Sequence, residues 1–397
     1  ACCDDCGYQL TTSPFLIPPL LINRKEWSII MVFYSYFFCP PSDNIYISPP
    51  FMEISPLLSP AELFKLMSIL KDARNVVITA HRGPDGDAMG STLAWADYLM
   101  QLGKRVTVVL PTPCPDFLRW LPGAKNVLYY SKDDMRAAAT QAVQNADLIC
   151  LLDFNALHRL QDFAPVVERS KAKRIMIDHH EHPDTSCAEF IVSEPKACST
   201  CELVFKLIYQ LGGFEKMTRS TAACVYCGMM TDTGGFSYAS NDPEIFIIIA
   251  HLLTKGIDKD KINRNVNNTW SENRLRFFSY ILTEKLKFYE DSRASIFTIT
   301  RDEMKRFHYI RGDAEGLVNE PLKVKGMRLS ISLREDTEKD VIRISVRSVD
   351  DFPANALAAE FFNGGGHFNA AGGELPFPLD EAIKTAERAI AAYADKL

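Results

Sequence analysis

Histidine and aspartate residues that could bind a metal ion are concentrated in one short segment of the chain. His81, Asp85 and Asp87 stand within seven residues, separated by glycine and proline. An apolar, β-branched run at 76–79 precedes the segment and an amphipathic stretch at 88–102 follows it, which predicts a strand, a tight loop and a helix. Imidazole and carboxylate groups together suit a divalent transition-metal ion such as manganese. The segment is therefore a candidate metal site, and a solvated acidic loop is the alternative interpretation.

Two more acidic segments follow predicted strands further along the chain. Asp153 ends the strand predicted at 147–152, and Asp178-His179-His180 ends the one predicted at 174–177. Strands that are apolar on both faces and alternate with helices indicate a parallel sheet covered on both sides. The carboxyl ends of parallel strands lie at one edge, where such sheets bind their ligands. We therefore expect all three acidic segments to meet at that edge.

A fourth acidic segment, residues 231–236, follows a helix predicted from about Arg219 to Met230. Its Asp232 lies in a glycine-rich loop and brings the candidate ligands to six: His81, Asp85, Asp87, Asp153, His179 and Asp232. So many carboxylates repel one another, and two divalent cations would neutralise them. A pair of metal ions is suited to in-line displacement at phosphorus. We interpret the edge as a two-metal phosphoryl-transfer site, with a solvated acidic rim or a single structural metal as the alternatives.

The acidic segments resemble the sequence motifs of the DHH phosphoesterase superfamily. Asp178-His179-His180 is similar to the triplet that names the superfamily, and residues 81–91, 151–155 and 231–238 are similar to its first, second and fourth motifs. Gly364-Gly365-Gly366-His367 resembles the GGGH motif of the associated DHHA1 domain. The match extends from the first predicted helix to the C-terminus, with every motif in order. The size and the single DHHA1 domain most resemble the NrnA type, which comprises bifunctional oligoribonucleases and 3′-phosphoadenosine 5′-phosphate (pAp) phosphatases.

The resemblance implies roles for the matching positions. It implies two metal ions, most commonly manganese: His81, Asp85 and Asp153 would hold the first, and Asp87, Asp153, His179 and Asp232 the second. Asp153 would therefore bridge the two ions. Asp178 would orient a ligand from behind, and His180 would face the scissile phosphate as an electrostatic stabiliser or an acid. Asp153 and His180 are accordingly the predicted catalytic residues.

Arg347 and the segment from Gly364 to His367 are the predicted substrate-binding residues. A planar guanidinium binds phosphate through two hydrogen bonds, and a glycine-rich loop offers backbone N–H groups to an anion. Gly364, Gly365, Gly366 and His367 would thus hold a short phosphorylated end against the metal edge, together with Arg347. Without the resemblance, a surface ion pair at Arg347 and a flexible turn at the glycines explain the same residues.

The patterns divide the chain into four parts. We predict a disordered or extraneous leader at 1–58, a DHH catalytic domain at 59–242, a helical linker at 243–293 and a DHHA1 substrate-binding domain at 294–397. The leader is rich in proline and aromatic residues, Met31 and Met52 are alternative starts, and an export signal is the less favoured interpretation. The predicted fold class is α/β: a parallel sheet with helices on both faces, then the helical linker and a smaller α+β domain.

The sequence allows two interpretations for each of two further sets of residues, four cysteines and four aromatic residues. The pairs Cys198/Cys201 and Cys224/Cys227 have spacings found in zinc sites. However, Cys224 and Cys227 lie inside a predicted apolar helix and Cys201 lies at a predicted helix start, and buried thiols pack as small apolar groups. An aromatic set in the linker would either stack nucleobases or pack in a core. Its members are Trp270, Phe277, Phe278 and Tyr280. We favour packing in both cases.

The amino-acid composition limits which class of protein this chain can belong to and which partners it can bind. Of 397 residues, 47% are hydrophobic and 24% are charged, as in an ordinary globular protein. The net charge of −6 gives no overall basic surface for long nucleic-acid duplexes, so a polyanionic substrate must be held locally. Eleven cysteines without a regular framework indicate reduced thiols, and we find no run of about 20 apolar residues that could cross a membrane. We therefore predict a cytoplasmic protein, with monomer and dimer both open.

The resemblance predicts a phosphoester hydrolase whose partners are short single-stranded RNA oligonucleotides and small phosphorylated nucleotides. We expect release of mononucleotides from short RNA, and dephosphorylation of pAp, by attack of an activated water on phosphorus. A cyclic or linear dinucleotide phosphodiesterase on the same scaffold is the rival interpretation. The GGGH segment argues against a type II inorganic pyrophosphatase, and the extra nucleic-acid-binding domains of a RecJ-type exonuclease are not evident. A nucleotide-binding sensor would have lost ligands, and all six are present.

Overall fold

The computed structural model describes residues 54–310 and 312–397. The predicted leader lies outside these residues except for 54–58, where Ile54 and Leu58 are buried in the first hydrophobic core. The amides of Leu57 and Leu58 donate to the side-chain oxygen of Gln210 at 3.1 and 3.0 Å. The packed part of the chain therefore begins before the first predicted helix. Over the described ranges, every helix is too short or too polar to cross a membrane.

Helices and strands alternate through the first half of the chain. Its helices are α1 (Pro60–Asp72), α2 (Gly86–Gln101), α3 (Asp133–Gln144), α4 (Ala164–Glu168), α5 (Thr200–Gln210) and α6 (Arg219–Asp232). Its strands are β1 (Asn75–Thr79), β2 (Arg105–Leu110), β3 (Leu128–Tyr129), β4 (Leu148–Leu152), β5 (Lys173–Asp178) and β6 (Phe190–Ser193).

The second half begins with helices and continues with a second sheet. Its helices are α7 (Pro243–Thr254), α8 (Lys259–Asn267), α9 (Glu272–Tyr280), α10 (Arg301–Arg306), α11 (Ala354–Phe361) and α12 (Leu379–Ala392). Its strands are β7 (Lys287–Tyr289), β8 (Ala294–Ile299), β9 (Leu329–Glu335), β10 (Val341–Ser348), β11 (Gly365–His367) and β12 (Ala370–Pro376). A π-helical turn, Ile281–Lys285, continues α9.

The first sheet contains six parallel strands in the order β3-β2-β1-β4-β5-β6. Val77 of β1 pairs with Thr107 of β2 on one side and with Ile149 of β4 on the other. The chain winds outwards from β1 and from β4 in opposite directions, which leaves a crevice at the carboxyl ends of these two strands. His81 follows β1 and Asp153 follows β4, so both lie at that crevice. The predicted parallel sheet is confirmed.

Side chains of the first sheet alternate between two cores. Val76 and Ile78 pack in a core with α1, α2, α5 and α6, while Val77 packs in another core with α3 and α4. Successive side chains of a strand point to opposite faces, so apolar residues at every position require helices on both sides. The predicted coverage of both faces is confirmed.

Helices α2 and α6 approach each other closely because glycines lie at their contact. A Cβ atom on Gly90 would lie 2.5 Å from the carbonyl oxygen of Cys224. One on Gly228 would lie 2.2 Å from Cys201 Sγ and 2.8 Å from Asp87 Oδ1. A side chain at either position would displace its neighbours in a close-packed interior. The glycines therefore let α5 and α6 close around Asp87.

The second sheet contains six strands in the order β11-β12-β10-β9-β8-β7. The β8–β9 pair is parallel and the other pairs are antiparallel. Alternate residues of β10, from Ile342 to Val346, are buried against α11 and α12. Directly paired residues share a face, so Arg347 of β10, Ala370 of β12 and His367 of β11 form one row across the sheet. The predicted smaller α+β unit is confirmed.

The predicted helical linker is not one uniform unit. Helices α7 and α8 pack into the first core, for example through Ile248 and Ile262. Helix α9 instead packs with β8 in a separate cluster that contains Phe277 and Phe278, which confirms the packing interpretation for these two residues. The helical prediction is wrong at residues 287–289, because these three residues pair with β8 as the edge strand β7.

The sequence patterns also missed several short elements. Strand β3 has two residues and β6 has four, too few for an alternation to be recognised. The glycine segment predicted as a loop forms β11, which pairs with β12. Asp232, predicted in a loop, is the last residue of α6, because the amide of Thr233 still donates to the carbonyl of Met229 at 3.2 Å.

Candidate active site

Three of the predicted ligands meet where β1 and β4 end. His81 Nε2 lies 3.4 Å from Asp153 Oδ2 and 3.8 Å from Asp85 Oδ2. The ends of β1 and β4 place His81 and Asp153, and Asp85 occupies the N-cap of α2. Donor atoms of all three residues lie within 4.8 Å of one another. This first cluster has the size and the donor atoms to hold a metal ion.

A second cluster contains Asp87, His179 and Asp232, again with donor atoms within 4.8 Å. His179 Nε2 lies 3.2 Å from Asp232 Oδ2 and 4.0 Å from Asp87 Oδ2. It also lies 3.7 Å from Asp153 Oδ1, whereas His81 Nε2 lies 3.4 Å from Oδ2 of the same carboxylate. The Asp153 carboxylate therefore lies between the two clusters, and the structure brings all six predicted ligands together.

Backbone carbonyl groups orient both imidazole rings. Nδ1 of His81 lies 3.1 Å from the carbonyl oxygen of Arg82, and Nδ1 of His179 lies 3.1 Å from that of Ala197. A ring nitrogen that donates to a carbonyl carries the proton, which leaves the lone pair on Nε2. In both clusters Nε2 is the nitrogen that faces the carboxylates. The rings are therefore oriented as metal-binding imidazoles.

Helix ends fix two of the carboxylates. Asp85 accepts hydrogen bonds from the amides of Asp87 and Ala88 at 3.1 and 3.0 Å, in the first turn of α2. Asp87 accepts from the amides of Thr200 and Cys201 at 2.6 and 2.9 Å, at the beginning of α5. The positive end of a helix stabilises a carboxylate charge. The backbone therefore holds both acids in place without help from a ligand.

The carboxylates at this edge are crowded. Burial, with the charges of Asp87 and Asp85, raises the pKa of Asp153 well above its ordinary value. Burial and the same two charges raise the pKa of Asp232, and burial raises that of Asp87. Burial acts in the same direction on Asp85, but His81, the amides of Ala88 and Asp87, and His180 together outweigh it, and the pKa of Asp85 is lowered. In the part of the chain that the structure describes, the ion pairs of these carboxylates are with histidines alone. The donor set therefore fits divalent cations.

Asp153 has a left-handed backbone conformation, with φ of +63°. This conformation is uncommon outside glycine and costs on the order of 1 kcal/mol. The amide of Asp153 donates to the carbonyl of Ile177 at 3.1 Å, and the hydroxyl of Thr200 donates to Asp153 Oδ1 at 3.1 Å. These hydrogen bonds hold the strained residue so that its carboxylate faces both clusters.

His180 and His367 form a pair beside the two clusters. Their rings stack with centroids 4.8 Å apart, and His367 belongs to the second sheet. His180 Nδ1 lies 2.7 Å from Asp178 Oδ1, and Asp178 is fully buried. Burial and the neighbouring His180 lower the pKa of His367 to about 3. The histidine pair thus joins the two sheets at the reactive edge, with His367 neutral.

A cleft of about 1480 Å³ opens next to the histidine pair. His81, His180 and the segment from Gly364 to His367 are among its lining residues. Gly366 has φ of +142°, which other residues rarely adopt, and a Cβ on Gly364 would lie 1.8 Å from the carbonyl oxygen of Gly372. Glycine is therefore required for this segment to line the cleft.

Arg347 lies apart from the residues that line this cleft. Its guanidinium donates to the carbonyls of Val346 and Ala371 at 3.0 and 3.4 Å. Burial lowers the pKa of Arg347, and the charges of Glu315 and Asp232 act against that change. Arg347 therefore approaches the candidate metal-binding edge near Asp232, whereas the glycine segment approaches it near His180.

Some residues at the edge were not predicted from the sequence. Thr200 supplies both an amide and a hydroxyl, and Ala197 supplies the carbonyl that orients His179. Ser199, which caps α5 by accepting from the amide of Glu202 at 3.1 Å, was the available sign that helix amides begin there. Tyr238 and Glu315 interact electrostatically with Arg347 but carry no sequence pattern that indicates it.

The four cysteines in question pack in the first core. Cys198, Cys201, Cys224 and Cys227 are buried free thiols. Among the described residues, no group of metal-binding geometry contains a cysteine. The packing interpretation is confirmed, and Cys201 contributes its backbone amide to Asp87 rather than its sulfur to a metal.

Comparisons with known proteins agree with this geometry. Residues 75–229 match the DHH family, N-terminal domain, and residues 296–392 match the DHHA1 domain. The chain belongs to the DHH family. It is accordingly a phosphoesterase, a hydrolase that acts on phosphoester bonds. The DHH match covers most of the first sheet and its helices, and the DHHA1 match covers nearly all of the second sheet.

Relatives within the DHH family have several described activities. The crystal structure of an exopolyphosphatase-related protein from Bacteroides fragilis is 46% identical, with a TM-score of 0.81 over 86% of this chain and 99% of that one. The bifunctional oligoribonuclease and PAP phosphatase NrnA of Thermus thermophilus is 28% identical over 81% of this chain and 90% of its own length. The cyclic-di-AMP phosphodiesterase PdeA of Listeria monocytogenes is 24% identical over 83% of this chain, which spans 49% of PdeA.

Proposed function

We propose that this DHH-family protein is a two-metal phosphoesterase that releases mononucleotides from short single-stranded RNA and removes a phosphate from pAp. The observation that carries the proposal is the position of the Asp153 carboxylate. Its Oδ2 lies 3.4 Å from His81 Nε2, and its Oδ1 lies 3.7 Å from His179 Nε2. A carboxylate between two clusters of nitrogen and oxygen donors is what a pair of bridged divalent cations requires.

The ligand sets implied for two cations fit the two clusters. His81, Asp85 and Asp153 would hold one cation, and Asp87, His179 and Asp232 would hold the other, with Asp153 shared. Imidazole and carboxylate donors suit manganese, which we propose as the metal. When bound, the two cations would activate a water molecule and neutralise negative charge on the phosphoryl group. The raised pKa values of Asp153 and Asp232 agree with acids that need such charge compensation.

His180 would act on the substrate directly. The hydrogen bond between Nδ1 and Asp178 fixes the ring, which leaves Nε2 to donate a proton to the leaving oxygen or to stabilise its charge. His367 stacks on His180, and its low pKa keeps it neutral, so it would position the His180 ring and exclude water rather than supply charge. Asp178 acts through His180 and is a positioning residue.

Phosphate groups of the substrate would be bound from the second sheet. Arg347 offers a guanidinium near Asp232, and the segment from Gly364 to His367 offers backbone N–H groups at the cleft. The cleft of about 1480 Å³ is larger than the roughly 300–1,000 Å³ of a typical small-molecule site. That volume supports a substrate longer than one nucleotide, and the similarity to NrnA supports RNA and pAp as its class.

A cyclic-dinucleotide phosphodiesterase is the second candidate. The similarity to PdeA over both matched domains favours it, and the large cleft accommodates a dinucleotide ring as well as a short linear chain. The two candidates share the metal-binding edge and differ only in substrate, so they are separated by substrate comparison.

The test compares substrates with the purified full chain and Mn²⁺. The substrates are a 5′-labelled RNA trimer, pAp, cyclic di-AMP, pyrophosphate and polyphosphate. We expect mononucleotides from the trimer and phosphate from pAp, both abolished by EDTA and restored by Mn²⁺. Turnover of cyclic di-AMP with an inert trimer would reject the RNA assignment and keep the phosphoesterase. Turnover of polyphosphate or pyrophosphate alone would indicate a phosphoanhydride hydrolase instead. The cytoplasmic location, the oligomeric state and the domain limits 59–242, 243–293 and 294–397 stay predictions.

A further inference from the structure

Among the described residues, one arginine of the cleft has neither an ion pair nor a hydrogen bond for its side chain. The arginines that line the cleft are Arg82, Arg159, Arg334 and Arg343. Across residues 54–310 and 312–397, the side chain of Arg159 takes part in no ion pair and no hydrogen bond, and it is exposed to the cleft. A guanidinium without a counter-charge beside a reactive edge has the chemistry of an anion-binding group.

The other arginines of the cleft are already engaged. Arg82 forms an ion pair with Glu338 at 3.6 Å. Arg343 donates to Asp336 at 2.7 Å and also pairs with Glu374. Arg334 donates to the hydroxyl of Tyr309. Arg159 is therefore the cleft arginine, within the described residues, whose guanidinium forms neither an ion pair nor a hydrogen bond and can bind a ligand with all its donors.

The backbone holds Arg159 next to the first metal-binding cluster. The amide of Arg82, the residue after His81, donates to the carbonyl of Arg159 at 2.9 Å. The amide of Arg159 donates to the carbonyl of Ala156 at 3.1 Å, within the turn that follows Asp153. Arg159 is thereby tied to the loops that carry His81 and Asp153, and its side chain lines the same cleft as His180 and His367.

We propose that Arg159 binds a second phosphate of the substrate, next to the phosphate that is hydrolysed. The inference rests on the proposed function, since it assumes a nucleotide substrate at the metal-binding edge. A guanidinium donates two parallel hydrogen bonds to phosphate and is weakly hydrated for its charge. The enzyme would then favour compounds with two phosphates on one nucleoside unit, such as pAp or a 5′-phosphorylated dinucleotide. Arg347 approaches from the Asp232 side and would serve the hydrolysed phosphate.

The experiment uses two dinucleotides that differ by a single terminal phosphate, pApA and ApA. The kcat/KM of each is measured with Mn²⁺ for the full chain, for Arg159→Gln and for Arg159→Lys. We expect Arg159→Gln to lower kcat/KM for pApA about 10-fold or more, mainly through KM, and to change that for ApA less than about 3-fold. Arg159→Lys should restore part of the loss, because it keeps the charge without the planar fork.

Arg136→Gln is the matched control. Arg136 is a half-exposed arginine on α3 that pairs with Asp133 at 3.3 Å and lies outside the cleft lining. The Arg136→Gln substitution should leave the kcat/KM for pApA and for ApA unchanged. An equal loss on pApA and ApA in Arg159→Gln, or no loss on either, would overturn the proposal, and the thermal midpoint of each variant checks folding.

The outcome also separates this proposal from the proposed function. A wild type that hydrolyses neither dinucleotide contradicts the proposed function. Arg159 is then judged by equilibrium binding of pAp and AMP to the wild type and to Arg159→Gln. Loss of the affinity difference between pAp and AMP in the variant supports the second phosphate site, and an unchanged difference overturns it.

Discussion

The two sheets meet at one reactive edge but contribute opposite chemistry to it. The first sheet supplies carboxylates and imidazoles, among them Asp87, which is buried, held by helix amides and packed against a glycine contact. The second sheet supplies a guanidinium, a neutral imidazole and glycine backbone, and its contact with the first sheet at the edge includes the stacking of His367 on His180. We propose that the first sheet sets whether hydrolysis occurs, and that the second sets which substrate is held.

The largest effect is expected from the shared carboxylate of the first sheet. Asp153→Asn should lower kcat by about 1,000-fold or more on every phosphoester substrate, because it weakens both clusters at once. Asp147→Asn is the matched control: Asp147 stands at the opposite end of β4 and accepts from the amides of Arg74 and Asn75 at 3.0 and 2.8 Å. A loss on one substrate alone for Asp153→Asn would contradict the division of roles between the sheets.

A smaller and substrate-dependent effect is expected from the second sheet. His367→Ala should lower kcat/KM for a trimer about 10- to 100-fold, since the His180 ring loses the group stacked on it and the cleft loses one wall. His367→Phe keeps an aromatic ring and should recover much of the activity. The measurement is the ratio of the kcat/KM for the trimer to the kcat/KM for pAp, compared between the variant and the wild type. A loss as large as that of Asp153→Asn on all substrates would remove the distinction between the sheets.

Two glycines near the edge, Gly228 of α6 and Gly365 of β11, differ in how closely their surroundings pack. Gly228→Ala should destabilise the fold by about 1–3 kcal/mol, because its Cβ would meet Cys201 Sγ at 2.2 Å and Asp87 Oδ1 at 2.8 Å. Gly365→Ala in the second sheet has nothing within 4 Å of its Cβ and should change stability by less than about 0.5 kcal/mol. Urea denaturation measures the free energy of unfolding of both variants. Equal midpoints for the two variants would contradict the difference in packing around the two glycines.

The smallest effect concerns acid stability of the second sheet. Burial works against ionisation of Asp336, but the hydrogen bond from Arg343 and the amides of Glu338 and Lys339 outweigh it and lower its pKa to about 2. A lowered pKa stabilises the fold above the ordinary value near 3.8, and this contribution is lost as the pH falls from about 4 to about 2.

Asp336→Asn should therefore cost on the order of 1 kcal/mol at neutral pH and little at pH 2. Chemical denaturation at several pH values measures the difference between the variant and the wild type. If the difference in the free energy of unfolding between the variant and the wild type does not become smaller below pH 4, the lowered pKa of Asp336 is contradicted.

Parallel strands and their terminal ligands were predictable because each left a local signature. The strand at 148–152 is apolar throughout and ends at Asp153, and a strand that ends in an acid at the carboxyl edge predicts convergence without any long-range information. The six proposed ligands belong to four local segments, three of which follow strands while the fourth lies at the end of a helix. Their association into two clusters around Asp153, and its positive φ, are properties of the assembled sheet.

Residues without a local signature were not predictable. Thr200 contacts Asp87 and Asp153 only because α5 begins beside them, and Ala197 contributes a carbonyl that any residue type would provide. Strand β11 consists of two glycines and a histidine, which have low strand propensity, and pairing with β12 overrides that propensity. The wrong helical prediction at 287–289 has the same cause, since a three-residue edge strand is defined by its neighbour β8.

The scatter of the six ligands along the chain has a consequence for the order of events during synthesis. They extend from His81 to Asp232, on strands and helices that pair across long sequence separations. Contacts of this kind form late in folding because the intervening chain must close first. A nascent chain therefore has no complete second cluster until α6 has left the ribosome and packed on α2. Uptake of the metal ions would then mark the completion of the first sheet, and the affinity for the ions would add to the stability of that sheet alone.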